Sequence, residues 1–228
     1  MFRAPMHRSW LPYGVIRAVR NAGLLVVASV GVAFANPVTI AAFGDSLTQG
    51  FGLVPDEGFV PQLEAWLTEQ GADVTLINAG VSGDTTAGGL SRIEWTLTPE
   101  VDAILVALGG NDLLRGMDPA ASRANLEGIL EIATERDLDV LLIGMEAPSN
   151  YGTDYKTAFD RIYPELAKTY GVALHPNFLG ALTSLENRSA TVAEFMQSDG
   201  IHPNAKGVAL IVNDIGPAVL ELIDKGAN

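Results

Sequence analysis

Five short apolar or β-branched runs recur along the chain: VTIAAF at 38–43, VTLINA at 74–79, AILVAL at 103–108, VLLIGM at 140–145 and the weaker VALH at 172–175. Between them apolar residues return at helical spacing, as in Val60, Leu63 and Leu67, then Leu126, Ile129, Leu130 and Ala133, then Phe159, Ile162, Leu166 and Tyr170. Strand and helix patterns in alternation predict an α/β fold, a parallel sheet covered by helices on both faces. Helix ends are punctuated accordingly. Asp118 with Pro119 reads as a cap followed by a first-turn proline, and Gly71 and Gly171 stand where helices should stop. Pro164 is expected to kink or offset its helix, and Gly216 with Pro217 to bend or restart the last helical pattern, Ala205 to Ile223. The stretch 176–198 carries no clear element.

Each strand run is followed directly by the chain's unusual residues. Gly44, Asp45 and Ser46 follow the first, GVSGDT (80–85) the second, GGND (109–112) the third and EAPSNYG (146–152) the fourth, while the fifth leads on to DGIHP (199–203). In a parallel sheet the carboxyl ends of the strands share one edge, where ligands bind, so these distant residues are expected to converge.

The first 35 residues hold Arg3, Arg8, Arg17 and Arg20, no acidic residue, and the apolar run Gly23 to Ala35. With Ala33, Phe34 and Ala35 as a small-x-small pattern before Asn36, residues 1–35 read as a secretory signal peptide; a retained anchor is the alternative. The run is shorter than the ~20 residues of a spanning helix. Residues 36–228 then form one domain, periplasmic or secreted, with no stable membrane insertion once the leader is cleaved. The formal net charge of −13 becomes −17 when the four leader arginines are removed, because ten basic residues then face 27 acidic ones. That balance disfavours nucleic acid as a partner. The absence of cysteine excludes disulfides, a thiol nucleophile and a lipid-modified amino terminus.

Histidine is scarce, with three in the chain, and His7 lies in the leader. A serine hydroxyl needs a base to act as a nucleophile, usually an imidazole oriented by a carboxylate. Asp199 stands three residues before His202, and a turn at Gly200 can fold the carboxylate back onto the ring, leaving the other nitrogen for Ser46. Taken singly, Ser46 is also a plausible helix cap, and Asp199 and His202 a cap and a surface residue. His175, at the end of the weak fifth strand, reads as structural. Gly83 and Asn111, a glycine N–H and a neutral amide after neighbouring strands, offer donors to an oxyanion, although each alone also fits an ordinary turn. Thr48 stands where Gly-x-Ser-x-Gly would require glycine, so the α/β-hydrolase elbow is absent. GDSLTQGFG lacks the lysine of a phosphate loop and the GxGxxG spacing, which argues against nucleotide or flavin, and no histidine spacing fits a metal. No cofactor is expected.

These blocks resemble the SGNH (GDSL-type) hydrolases, and most closely the secreted bacterial branch of acyl-CoA thioesterases, lysophospholipases and arylesterases. GDSLTQG (44–50) is similar to the nucleophile block, NAGVSGDT (78–85) to the glycine block, LGGND (108–112) to the asparagine block and DGIHPN (199–204) to the acid and base block. The resemblance implies Ser46 as nucleophile, Asp199 and His202 as its triad partners, and an oxyanion hole of the Ser46 N–H, Gly83 and Asn111. It also implies a flavodoxin-like three-layer α/β/α sandwich with five parallel strands. A groove for an acyl chain is expected between the loops 113–118 and 146–152, where Leu113, Leu114, Met117, Pro148 and Tyr151 either line it or cap the core. The expected substrate is a small acyl ester or thioester. A carbohydrate O-deacetylase or a catalytically silent lipid- or sugar-binding protein is the alternative, and acyl length, leaving group and oligomeric state are not fixed by these residues.

Overall fold

A computed structural model describes residues 1–2 and 37–226, so the leader expected at 1–35 lies almost wholly outside the described residues. Five strands form one parallel sheet: β1 (Val38–Gly44), β2 (Val74–Gly80), β3 (Ala103–Ala107), β4 (Asp139–Ile143) and β5 (Ala173–His175). Their order is β2-β1-β3-β4-β5. The central strands are apolar end to end because both faces are covered: Ile40 to Phe43, Ile104 to Val106 and Leu141 to Ile143 are buried. The fifth strand is a residue shorter than its apolar run, beginning at Ala173 rather than Val172.

The helices are α1 (Ser46–Gln49), α2 (Phe59–Glu69), α3 (Thr86–Thr96), α4 (Gly110–Leu114), α5 (Pro119–Glu135), α6 (Thr153–Asp160), α7 (Ile162–Tyr170), α8 (Gly180–Thr183), α9 (Arg188–Phe195) and α10 (Ala205–Gly226). α2 and α10 pack together on one face, with α8 and α9 against α10, while α3, α5 and α7 cover the other. Asp118 caps α5 through the Ala120 N–H, with Pro119 behind it. The offset expected from Pro164 appears as a break at Arg161 between α6 and α7, which leaves the proline in a first turn where its missing N–H costs nothing.

The last helix does not restart at Gly216 and Pro217 as the sequence allowed. α10 runs unbroken from Ala205 to Gly226 with Pro217 inside it. Its buried stripe, Ile211, Val212 and Ile215 before the proline and Val219 and Leu222 after it, packs as one surface. At Gly216 the backbone lies so close to the Trp66 ring that an added Cβ would stand 2.7 Å from it. Packing along the whole helix outweighs the lost hydrogen bond. The stretch without a clear element, 176–198, holds the short helices α8 and α9.

The strand order reverses direction between β1 and β3, and a crevice opens at the carboxyl ends of the strands flanking such a switch point. Ser46 follows β1 and Asn111 follows β3, one on each side.

Candidate active site

Ser46 opens α1 immediately after β1. Two close approaches demand glycine there. A Cβ on Gly44 would sit 2.0 Å from the Thr48 hydroxyl oxygen, and one on Gly80 2.3 Å from the Gln49 nitrogen, so α1 lies flat across the ends of β1 and β2. Asp45 caps the turn, its carboxylate accepting the Leu47 N–H at 3.0 Å. As the first residue of a helix, Ser46 has a backbone N–H without an intrahelical acceptor.

His202 reaches Ser46 from the other end of the chain. Its Nε2 is 2.9 Å from the Ser46 Oγ and its Nδ1 2.7 Å from the Asp199 Oδ2. A carboxylate only accepts, so Nδ1 carries the proton and Nε2 is left to accept from the serine hydroxyl. Asp199 Oδ1 also takes the N–H groups of Ile201 at 2.9 Å and His202 at 3.0 Å, in a turn made by Gly200 at φ +66°. The backbone N–H of His202, its ring and the Ile201 N–H together hold the Asp199 carboxyl down at about 2. Gln197 stitches this loop to the nucleophile loop, donating to the Phe51 carbonyl at 2.7 Å and the Pro203 carbonyl at 3.0 Å. Phe51 lays its ring against the imidazole, centroid to centroid 4.7 Å.

Gly83 lies in the turn after β2 at φ +80°, and among the described residues its N–H has no acceptor. Its neighbour Ser82 bonds the Gln49 side chain, tying that turn to α1. Asn111 is the second residue of α4, and its Nδ2 donates to the Asp45 Oδ2 at 3.3 Å, which leaves its second N–H uncommitted. Behind it Asp112 is fully buried and accepts from the Thr86 N–H and hydroxyl and the Ser122 hydroxyl, binding the third-strand loop to α3 and α5. Among the described residues, Ser46, Gly83 and Asn111 thus each bring an N–H group without a protein acceptor to the same end of the sheet.

Asp45 is 2 % exposed, and burial pushes its carboxyl up to about 6 despite the Leu47 and Asn111 hydrogen bonds. His175 is buried too, which lowers its basicity; its Nε2 stands 3.5 Å from Asp214, far from the Ser46 chain, as a structural histidine would. Among the described residues no three His, Cys, Asp or Glu side chains stand together to hold a metal ion.

A cleft of about 700 Å³ runs from Ser46, Asn111 and His202 between two apolar walls. Leu113, Leu114, Pro148 and Tyr151 form one wall, as the loops following β3 and β4 predict. Met117 does not line it: the chain turns back at Gly116, and Met117 is directed by its N–H bond to the Asp112 carbonyl. The other wall went unrecognised in the sequence. Leu179, Leu182, Leu185, Val192 and Met196 supply it from α8, α9 and their flanks, within the stretch whose pattern gave no element. Asp45, Phe51 and Gln197 were missed as well. The one signal available was the aspartate beside a serine at a strand end.

An α/β sheet that brings a Ser–His–Asp hydrogen-bonded chain to its switch point, with no Gly-x-Ser-x-Gly elbow, defines a class of serine hydrolase distinct from the α/β-hydrolases. The chain belongs to the GDSL-like lipase/acylhydrolase family, which matches residues 42–210. It is similar to esterase TesA of Pseudomonas aeruginosa, 37% identical over 186 residues that cover 81% of this chain and 89% of that one. The thioesterase 1/protease 1/lysophospholipase L1 of Escherichia coli is 32% identical over 188 residues, covering 82% and 85%. Among solved structures, the SGNH-hydrolase family esterase AlinE4 superposes with a TM-score of 0.67 at 44% identity, over 83% of this chain and 98% of that one.

Proposed function

We propose that the protein is a serine ester hydrolase that cleaves acyl esters and thioesters through an acyl-enzyme on Ser46. The observation that carries the proposal is the continuous path from the Ser46 Oγ through both nitrogens of His202 to Asp199, at 2.9 and 2.7 Å. In this mechanism Nε2 takes the hydroxyl proton as Oγ attacks the carbonyl carbon. The carbonyl oxygen becomes an oxyanion facing the N–H groups of Ser46, Gly83 and Asn111. His202 then returns the proton to the departing alcohol or thiol, and the acyl group remains on Ser46. A water, deprotonated by the same nitrogen, repeats the sequence and releases the acid. Asp199 holds the imidazole in the required tautomer throughout.

The apolar walls formed by Leu113, Leu114, Leu179, Leu182, Leu185, Val192 and Met196 favour an acyl chain, while Glu146, Asn150, Lys156, Asn177 and Arg188 also reach the cleft and keep an acetylated sugar as the reading to test against it. Names of the relatives add esters, thioesters and lysophospholipids as the compounds to test. Residues 1–35, basic and then apolar, support export with cleavage before Asn36, and among the described residues no helix is long and apolar enough to cross a membrane. The mass of the protein recovered from the periplasm or medium checks the cleavage.

Turnover of p-nitrophenyl acetate is expected, with essentially none from Ser46→Ala. Full activity of that variant eliminates the mechanism. A profile over acyl lengths and over aryl, thioester and lysophospholipid leaving groups defines the substrate; turnover confined to acetylated sugars would select the deacetylase instead.

A further inference from the structure

Arg92 lies on α3 and contacts no part of the cleft, yet its guanidinium ties together three separate stretches of chain beside the catalytic turn. Nη2 donates to the Gly44 carbonyl at 2.9 Å, Nη1 to the Ala79 carbonyl at 2.9 Å and Nε to the Asp84 carboxylate at 2.7 Å. Its flat face covers the Phe43 ring, with Cζ 4.0 Å from the centroid. The pair is largely out of water, the Arg92 and Asp84 side chains being 22% and 12% exposed. The surroundings are shaped for it: a Cβ on Gly88 would stand 1.7 Å from the Asp84 Oδ1.

The three acceptors have one thing in common. Gly44 lies two residues before Ser46, and Asp84 directly follows Gly83. The ladder between β1 and β2 ends at the pair Gly44 and Gly80, followed by a last bond from the Val81 N–H to the Gly44 carbonyl. Beyond that point the sheet no longer fixes where Gly83 stands relative to Ser46. The Arg92–Asp84 pair does so, together with the bond from Arg115 to the Gly83 carbonyl at 2.9 Å and the contact of Ser82 with the Gln49 side chain. A planar fork of donors reaches three acceptors in fixed directions, which an ammonium cannot do.

We propose that Arg92 is a positioning residue for catalysis: through Gly44 and Asp84 it sets the spacing between the Ser46 nucleophile and the Gly83 oxyanion donor. The inference rests on the serine-hydrolase reading of the site. It concerns the transition state, since the acyl chain lies in a cleft Arg92 does not touch, and a displacement of about 1 Å at a reacting centre costs on the order of 100-fold in rate.

The test measures kcat and KM for p-nitrophenyl butyrate, the rate of Ser46 phosphonylation by a fluorophosphonate, and thermal unfolding, in wild type, Arg92→Lys, Arg92→Ala and Asp84→Asn. Arg92→Lys is expected to lose about 100-fold in kcat with KM within about twofold, and to slow phosphonylation in parallel. Methylguanidinium should restore part of the kcat of Arg92→Ala, a response that a merely structural loss would not give. Asp84→Asn keeps an oxygen acceptor for the Arg92 Nε and is the milder substitution; it should lose kcat in the same direction as Arg92→Lys but by a smaller factor. A folded Arg92→Lys or Asp84→Asn with wild-type kcat, or a loss confined to KM, overturns the proposal. Activity retained by Ser46→Ala would instead overturn the reading beneath it, so the two failures are separable.

Discussion

Asp45 shows how much a single side chain contributes unseen. It stands beside Ser46 in the sequence, but only the fold shows it capping α1 through the Leu47 N–H, buried and sharing the Asn111 amide. With a folded-state value near 6 against an ordinary carboxylate value near 4, the native protein binds the Asp45 proton more tightly than the unfolded chain does. Its contribution to stability is therefore full at low pH and is lost as pH rises through about 6, a difference of about 3 kcal/mol. Asp45→Asn should remove that dependence. Denaturant unfolding at about pH 4 and about pH 8 should show the variant gaining on wild type as pH rises, by an amount on that scale. Asp199 behaves in the opposite sense. Held at about 2, it adds stability that is complete above its ordinary value and disappears only as pH falls through 2. It therefore stays ionised at any pH well above 2. Asp199→Asn should cost about 10³ to 10⁴-fold in kcat, read with the same ester, because the amide no longer fixes the tautomer of His202. Ser46 and His202 were legible because histidine is scarce and the motifs are short. Arg92 was not, since its partners at 44, 79 and 84 are neighbours only once the strands are paired.

The elements divide in the same way. Four strands and the long helices α2, α5 and α10 could be read from periodicity, since each buries a continuous apolar face. α8 and α9 could not: they are four and eight residues long, and α9 is held by the Asn187 cap rather than by a long apolar stripe. Yet α9 walls the cleft. Val192→Trp should therefore shift the preferred p-nitrophenyl ester to shorter acyl chains, with activity on the acetate ester preserved; an unchanged chain-length profile would contradict that placement. α10 continues through Pro217 for a related reason, since proline's local rule yields to a buried face longer than the disturbance. Gly216→Val, forced against Trp66, should cost about 1–3 kcal/mol in denaturant unfolding while leaving KM unchanged.

At the scale of the molecule, alternation of strand and helix gives a parallel sheet but not the order of its strands. That order, β2-β1-β3-β4-β5, is what sets the loops of β1 and β3 on either side of one crevice. The convergence of GDS, GVSGDT and GGND at one sheet edge followed from parallelism alone. The approach of His202 did not, because no strand carries it. It arrives on the loop before α10, fastened by Gln197 and by Asn204, whose amide bonds the carbonyls of Glu194 and Met196. The Ser46–His202 bond spans 156 positions. A chain emerging from the ribosome thus carries Ser46, Gly83 and Asn111 well before His202 is made, so in the proposed mechanism the nucleophile precedes its base. In the proposed mechanism, a serine without that imidazole is an ordinary alcohol, so esterase activity can begin only once the loop before the final helix is docked.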